Sequence, residues 1–367
     1  MRLDLAEQLL ARVLDWSEET VEKEHKVLRL LSELKYDEYQ QFFSGRRFIE
    51  SLALWLNQFE MPDRQVAYNF VKERLIFISN DEMLHIIASV YPHWIKKELQ
   101  ANAAEIDELP WFKVGAVKAG DTYTRLKQRA LFLGLSDGAR TDQLRRKNPN
   151  DINNEQLWHT YELSKPKAED LKKELVKKTG DDQSYFSSVW LLDDFSGSGL
   201  SYIRYDEDEK KYKGKIPKVY EQLFQDRDGD LTDPTRCKVY IVLYVATEKA
   251  RRHIEEESAA FCKEICFSPP KVLVIFLIGD EVSLSKTEHH DNGFLKLATS
   301  DEYYDPRAHD KHIKVGGQED AKLGFAYCAL PLILSHNTPN NSIYLLWGPE
   351  LLTPHGLFPR VSRHREE

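Results

Sequence analysis

The chain has 367 residues, 41% hydrophobic and 30% charged, which suits one large folded domain or two ordinary ones and excludes a disordered chain. Its 51 basic and 60 acidic residues leave a net charge of −9, so no basic excess exists to coat nucleic acid, although a local basic patch is compatible. Four cysteines, Cys237, Cys262, Cys266 and Cys328, are too few for a disulfide framework and read as buried reduced thiols.

The first residues, MRLDLAEQLLARVLDW, carry acids inside the apolar run, so no secretory signal is expected. No stretch of about 18 apolar residues occurs, and the expected location is cytoplasmic, with no membrane partner. Residues 1–105 show apolar side chains at helical spacing: Leu5, Leu9, Leu10, Val13 and Leu14, then Val27, Leu28, Leu31 and Leu34, then Phe48, Leu52, Trp55 and Phe59. Only Gly45 of the 17 glycines falls there. The reading is a helical domain over 1–105, a bundle of five or six helices.

From about residue 127 the pattern changes. Arg129–Leu135 reads as a buried strand, followed by a turn at Ser136-Asp137-Gly138-Ala139-Arg140 and a helix through Arg146. Pro166 suits the first turn of a charged helix over 167–178. Three runs rich in Val, Ile and Leu, at 189–192, 239–245 and 272–278, lack alternation, as strands buried on both faces do. A helix over 248–266 between the last two makes a β-α-β unit. The fold class is therefore α/β: a helical N-terminal bundle, then a parallel sheet with flanking helices over 106–367, including a C-terminal extension. The charged run 205–218 reads as a solvated excursion.

The chemistry concentrates in Val189–Ser201, VWLLDDFSGSGLS. A strand ends at Asp193 and Asp194, where open α/β sheets bind ligands. Adjacent carboxylates suit the hydroxyls of a ribose. Gly197 and Gly199 allow a tight turn that aims backbone N–H groups inward, and Ser196, Ser198 and Ser201 add hydroxyl donors. A helix is expected to begin directly after this loop, its amino end favouring an anion. Together these parts describe a site for ribose 5-phosphate.

This segment resembles the phosphate-binding motif of the type I phosphoribosyltransferases: four apolar residues, two acids, three variable residues, then Ser or Thr, Gly, any residue, and Ser or Thr. The match departs at Phe195, Ser196 and Gly197. The resemblance implies that Asp193 and Asp194 bind ribose hydroxyls, that Phe195–Ser201 holds the 5-phosphate of phosphoribosyl pyrophosphate, and that Mg²⁺ takes part through the ligand and the two acids. It further implies that Ser136, Asp137, Gly138 and Arg140 form a pyrophosphate loop; an ordinary helix cap with a surface arginine is the equally open alternative.

Three segments, LGLSDGARTDQLRR, DDFSGSG and the C-terminal Ser335–Asn341 with Leu346-Trp347 and Leu357–Arg360, also resemble phosphoribosyltransferase-like effectors of bacterial conflict systems, some encoded beside retron reverse transcriptases. That resemblance implies an antiphage role, with a reverse transcriptase and its msDNA or another defence subunit as partner. It implies a ligand contact at Asn337. A homo-oligomer is compatible.

Other groupings are weaker. Trp347 and Phe358 read as core or interface rather than stacking residues, and Arg360, Arg363, His364 and Arg365 as a basic terminus. His289-His290-Asp291 and His309–His312 lack a third ligand at zinc spacing. Asp226–Asp230 fails the calcium-loop spacing. No P-loop and no Gly-x-Ser-x-Gly elbow is present. Two functions from different classes stay open: an enzyme acting at the anomeric carbon, and a non-catalytic ribose-phosphate sensor or partner-binding protein. A nucleic-acid-associated subunit is a third.

Overall fold

The apolar runs form the strands of one parallel sheet. In chain order these are β1 (Ala130–Gly134), β2 (Leu157–Trp158), β3 (Ser188–Ser196), β4 (Lys238–Thr247) and β5 (Lys271–Ile278). Their spatial order is β2-β1-β3-β4-β5, with every neighbouring pair parallel. The computed structural model describes residues 2–225, 230–284, 292–309 and 311–360.

The register explains the run compositions. Side chains of successive strand residues point to opposite faces. Leu131, Leu133, Val189, Leu191, Ile241 and Leu243 share one apolar cluster with Leu171 and Leu175 of the helix Lys165–Thr179, Ile216 and Val219 of the helix Lys215–Tyr220, and Ile254 and Phe261 of the helix Glu248–Glu264. On the other face Phe132, Trp190 and Tyr240 lie in register across three strands. Trp190 stacks on Tyr240 with ring centroids 4.0 Å apart and on Phe132 at 6.3 Å. Both faces are covered, so alternation is lost in the sequence.

The chain separates into two units: Leu84–Ile278, which holds this sheet, and Met1–Met83 with Gly279–Glu367. These divide the chain differently from the expected boundary at 105. Six α-helices do lie between Leu3 and Ile106 among the described residues, but the sixth, Lys96–Ile106, belongs with the sheet. Its Asn102 amide donates to the Tyr240 hydroxyl at 2.8 Å, and Glu98 and Glu105 pair with Lys271 and Lys238. The C-terminal segment returns to the N-terminal helices for an equally physical reason. Leu332–Leu334 pairs in parallel with Ile76–Ile78. Trp55 Nε1 donates to the Leu345 carbonyl at 2.9 Å, and the Phe358 ring stacks on Phe48. Trp347 and Phe358 are buried, as their reading as core residues requires.

No described helix is long and apolar enough to cross a membrane. The segments Asp226–Gly229, His289–Asp291, Asp310 and Arg363–Arg365 lie outside the described residues.

The aromatic row gives a direct stability test. Trp190 is fully buried between two rings. Trp190→Ala is expected to destabilise the protein by about 3–5 kcal/mol, read as a lowered urea midpoint in circular dichroism. A change below about 1 kcal/mol would contradict this packing.

Candidate ligand site at the switch point of the sheet

The strand order places a crevice at one point. β1 connects onward to β2 on one side, whereas β3 connects onward to β4 on the other. Their carboxyl-end loops therefore diverge, and such a switch point is where open α/β sheets bind ligands. Ser136–Arg140 leaves β1 there, and Asp193 to Ser201 closes β3 and leaves it. The structure thus brings together two of the three segments singled out from the sequence. Asn337 belongs to the other unit, where its backbone N–H donates to the Leu334 carbonyl at 3.0 Å.

Neighbouring positions on a strand face opposite ways, and the two acids separate accordingly. Asp193 is only 2% exposed. One of its oxygens accepts from the Ser136 hydroxyl and from the Asp194 N–H at 3.1 Å. The other accepts from the Tyr202 hydroxyl at 2.5 Å and from Lys215 Nζ at 2.8 Å. The Lys215 ammonium also lies 4.9 Å from the Tyr202 ring centroid. Burial pushes the Asp193 carboxyl above the ordinary carboxylate range; Lys215 pulls it down and the Asp194 charge pushes it up. Burial and the Asp193 charge raise the Tyr202 phenol, which stays a neutral donor.

Asp194 is half-buried on the opposite side, with its carboxylate against Gly138. A Cβ at Gly138 would overlap that carboxylate, so the glycine is required by close approach. Ser136 Oγ accepts from the Gly138 N–H at 3.1 Å and shapes the turn. Asp137 is exposed. Arg140 has left-handed backbone, φ 43°, and is half-buried. The buried Tyr244 hydroxyl donates to the Ala139 carbonyl at 2.7 Å. Burial raises its pKa, the charges of Asp193 and Asp194 raise it further, and Arg140 lowers it, so all three charges act at one point.

The loop after β3 corrects the sequence reading. No helix starts there. The chain turns at Leu200–Tyr202, runs through a partly exposed hairpin of Arg204–Asp206 and Lys211–Lys213, and enters a helix only at Lys215. The excursion over 205–218 is therefore solvated in its first part only: Ile216, Val219 and Tyr220 are buried. The loop packs instead on the helix Glu248–Glu264. Thr247 Oγ1 donates to the Gly197 carbonyl at 2.6 Å and caps that helix by accepting from the Ala250 N–H at 3.0 Å. Gly199 has φ +80° and approaches His253 and the Ala250 carbonyl so closely that a side chain would not fit. Phe195 is half-buried, Ser196, Gly197 and Ser198 are buried, and Ser201 is exposed.

Tyr202, Lys215 and Thr247 are site residues that the sequence did not single out. Lys215 was hidden in a run of five lysines between Lys210 and Lys218. Its only local mark is Gly214, which has φ +127° and sits against the Tyr202 carbonyl.

The PRTase-CE family model matches residues 52–360. The chain belongs to this phosphoribosyltransferase-like family. No curated protein and no solved structure gives a significant match. The matched span includes both switch-point loops, and the five-stranded parallel sheet agrees with a fold of this family.

Lys215→Met tests the network. It leaves the buried Asp193 charge without its cation, and breaking such a pair destabilises by about 3–5 kcal/mol. The expected result is a lowered urea midpoint that Lys215→Arg partly restores. A midpoint unchanged by Lys215→Met would show that the pair holds nothing.

Proposed function

We propose that the protein binds phosphoribosyl pyrophosphate or a related ribose 5-phosphate ligand and acts at its anomeric carbon. The observation that carries this reading is the half-buried Asp194 beside the Ser136–Arg140 turn, at the switch point of the sheet and next to the Phe195–Ser201 loop. Asp194 accepts a sugar hydroxyl. The loop N–H groups and the amino end of the helix Glu248–Glu264 favour the 5-phosphate. Gly138, Ser136 and Arg140 address the pyrophosphate, the guanidinium as a charge-assisted donor. In the transfer, the bond from C1 to the pyrophosphate oxygen breaks and its electron pair leaves with pyrophosphate. A bond from C1 to an acceptor heteroatom forms as that atom loses its proton. Charge on the leaving group and on the sugar ring is what such fixed groups stabilise.

Among the described residues no three His, Cys, Asp or Glu side chains are placed to enclose a metal. Mg²⁺ fits nonetheless, because it is commonly held by one or two carboxylates together with ligand phosphates. Asp194 and Asp137 are the carboxylates at hand, and the ion would supply charge neutralisation on the pyrophosphate.

The likeness of three segments to conflict-system effectors supports a role in antiphage defence within the cytoplasm, with a reverse transcriptase and its msDNA or another defence subunit as partner. A second reading, a ribose-phosphate sensor without turnover, is favoured by one observation: Asp193 is committed to protein donors.

Isothermal titration with phosphoribosyl pyrophosphate and Mg²⁺ tests the reading. Wild type binds, chelation of Mg²⁺ weakens binding, and Asp194→Asn weakens it by about tenfold or more at unchanged thermal midpoint. Equal affinity of Asp194→Asn and wild type, or no binding by wild type, would overturn it. Release of pyrophosphate across a panel of acceptors separates the enzyme from the sensor.

A further inference from the structure

Arg140 has left-handed backbone, φ 43° and ψ 43°, between the short turn Asp137–Ala139 and the helix Thr141–Lys147. A residue with a Cβ adopts this conformation at a cost, and it persists only where the surroundings over-determine it. A glycine would take it without strain, yet the position carries a guanidinium. Both of its chain neighbours are held from outside the turn. Before it, the Ala139 carbonyl accepts from the Tyr244 hydroxyl at 2.7 Å. Tyr244 stands on β4 level with Asp194, since Asp193 pairs with Leu243 and Phe195 with Val245. It is fully buried, and with β3 lying between β1 and β4 its hydroxyl crosses a strand to reach the turn after β1. After Arg140, Thr141 Oγ1 and His159 Nδ1 are hydrogen-bonded at 2.7 Å. Thr141 is buried, and His159 is the first residue after β2. Gly134, the last residue of β1, permits this approach: a Cβ there would strike the His159 carbonyl. The turn is thus tied to two other strands, by one bond on each side of Arg140.

Resting on the reading of this crevice as a ribose-phosphate site, we propose that Tyr244 and His159 are positioning residues that hold Arg140 and its turn in shape for the pyrophosphate end of the ligand. They act through Ala139 and Thr141. A turn that is already fixed loses little conformational entropy when a ligand arrives, and its donors stay aimed where charge develops on the leaving group. The ribose 5-phosphate half of the ligand meets the loop after β3. That loop is held by other contacts, the Thr247 hydroxyl on the Gly197 carbonyl and the close approach of Gly199 to His253. Loosening the turn after β1 therefore weakens the pyrophosphate contact and spares the sugar phosphate.

Isothermal titration of the full chain with phosphoribosyl pyrophosphate and with ribose 5-phosphate, each with Mg²⁺ present, tests this. Tyr244→Phe removes one hydroxyl at constant shape, and His159→Ala removes an exposed ring. Each variant is expected to bind phosphoribosyl pyrophosphate about 3- to 10-fold more weakly than wild type, the loss of one neutral hydrogen bond, while ribose 5-phosphate stays within about twofold. His159→Asn, whose side-chain amide takes the place of Nδ1 beside Thr141, restores most of the loss. An equal loss for both ligands would mark a general packing role. Unchanged affinity for phosphoribosyl pyrophosphate in either variant would mark a bond that positions nothing. Either result overturns the inference and leaves the ribose-phosphate reading standing. A His159→Asn as weak as His159→Ala contradicts the part given to the Thr141 bond. If wild type binds neither ligand, the inference falls together with the reading beneath it.

Discussion

A carboxylate buried in a protein interior is tolerated only when its lone pairs and its charge are met. At Asp193 that demand organises the site. Ser136 must leave β1 at the height where its hydroxyl reaches the acid, Tyr202 must close the loop after β3, and the chain must return after the hairpin to deliver Lys215. The hairpin is joined to the core through Tyr212, whose ring meets Phe261, and the chain that leaves it delivers Lys215 to Asp193. The aromatic row of Phe132, Trp190 and Tyr240 supports the same strands from the other face.

The separation of the two acids follows from strand geometry. Asp193 and Asp194 are adjacent in sequence, yet a strand sends them to opposite faces. One becomes the anchor of the frame, and the other meets Gly138 in the crevice. The chain belongs to the phosphoribosyltransferase-like PRTase-CE family, and the matched span includes both loops that meet at these acids.

Much of the sheet was legible in the sequence because burial on both faces leaves runs such as VYIVLYV, which have few other uses. The β3 loop was legible because glycine, serine and acid in that order have a local geometric cause. The helix expected after it was not there, since Tyr205–Lys213 forms a hairpin whose charged residues carry no periodic signal. Lys215 was illegible for the same reason: five lysines stand within nine residues, and only the return of the chain selects one. The division into units differs from the boundary expected at 105 because helical periodicity does not say what a helix packs against. Lys96–Ile106 looks like its predecessors, but Asn102 and Glu105 bind the strand that begins at Lys238. Nor does a C-terminal strand as short as Leu332–Leu334 announce that its partner is Ile76–Ile78.

A crystal structure of the protein with ribose 5-phosphate and Mg²⁺ bears most directly on the division of labour between the two acids. It is expected to show the sugar in the crevice between Ser136–Arg140 and Phe195–Ser201, with a hydroxyl on Asp194, while Asp193 keeps Ser136, Tyr202 and Lys215 as its partners. Asp193 turned onto the sugar with Lys215 displaced, or the sugar bound away from this crevice, would contradict it.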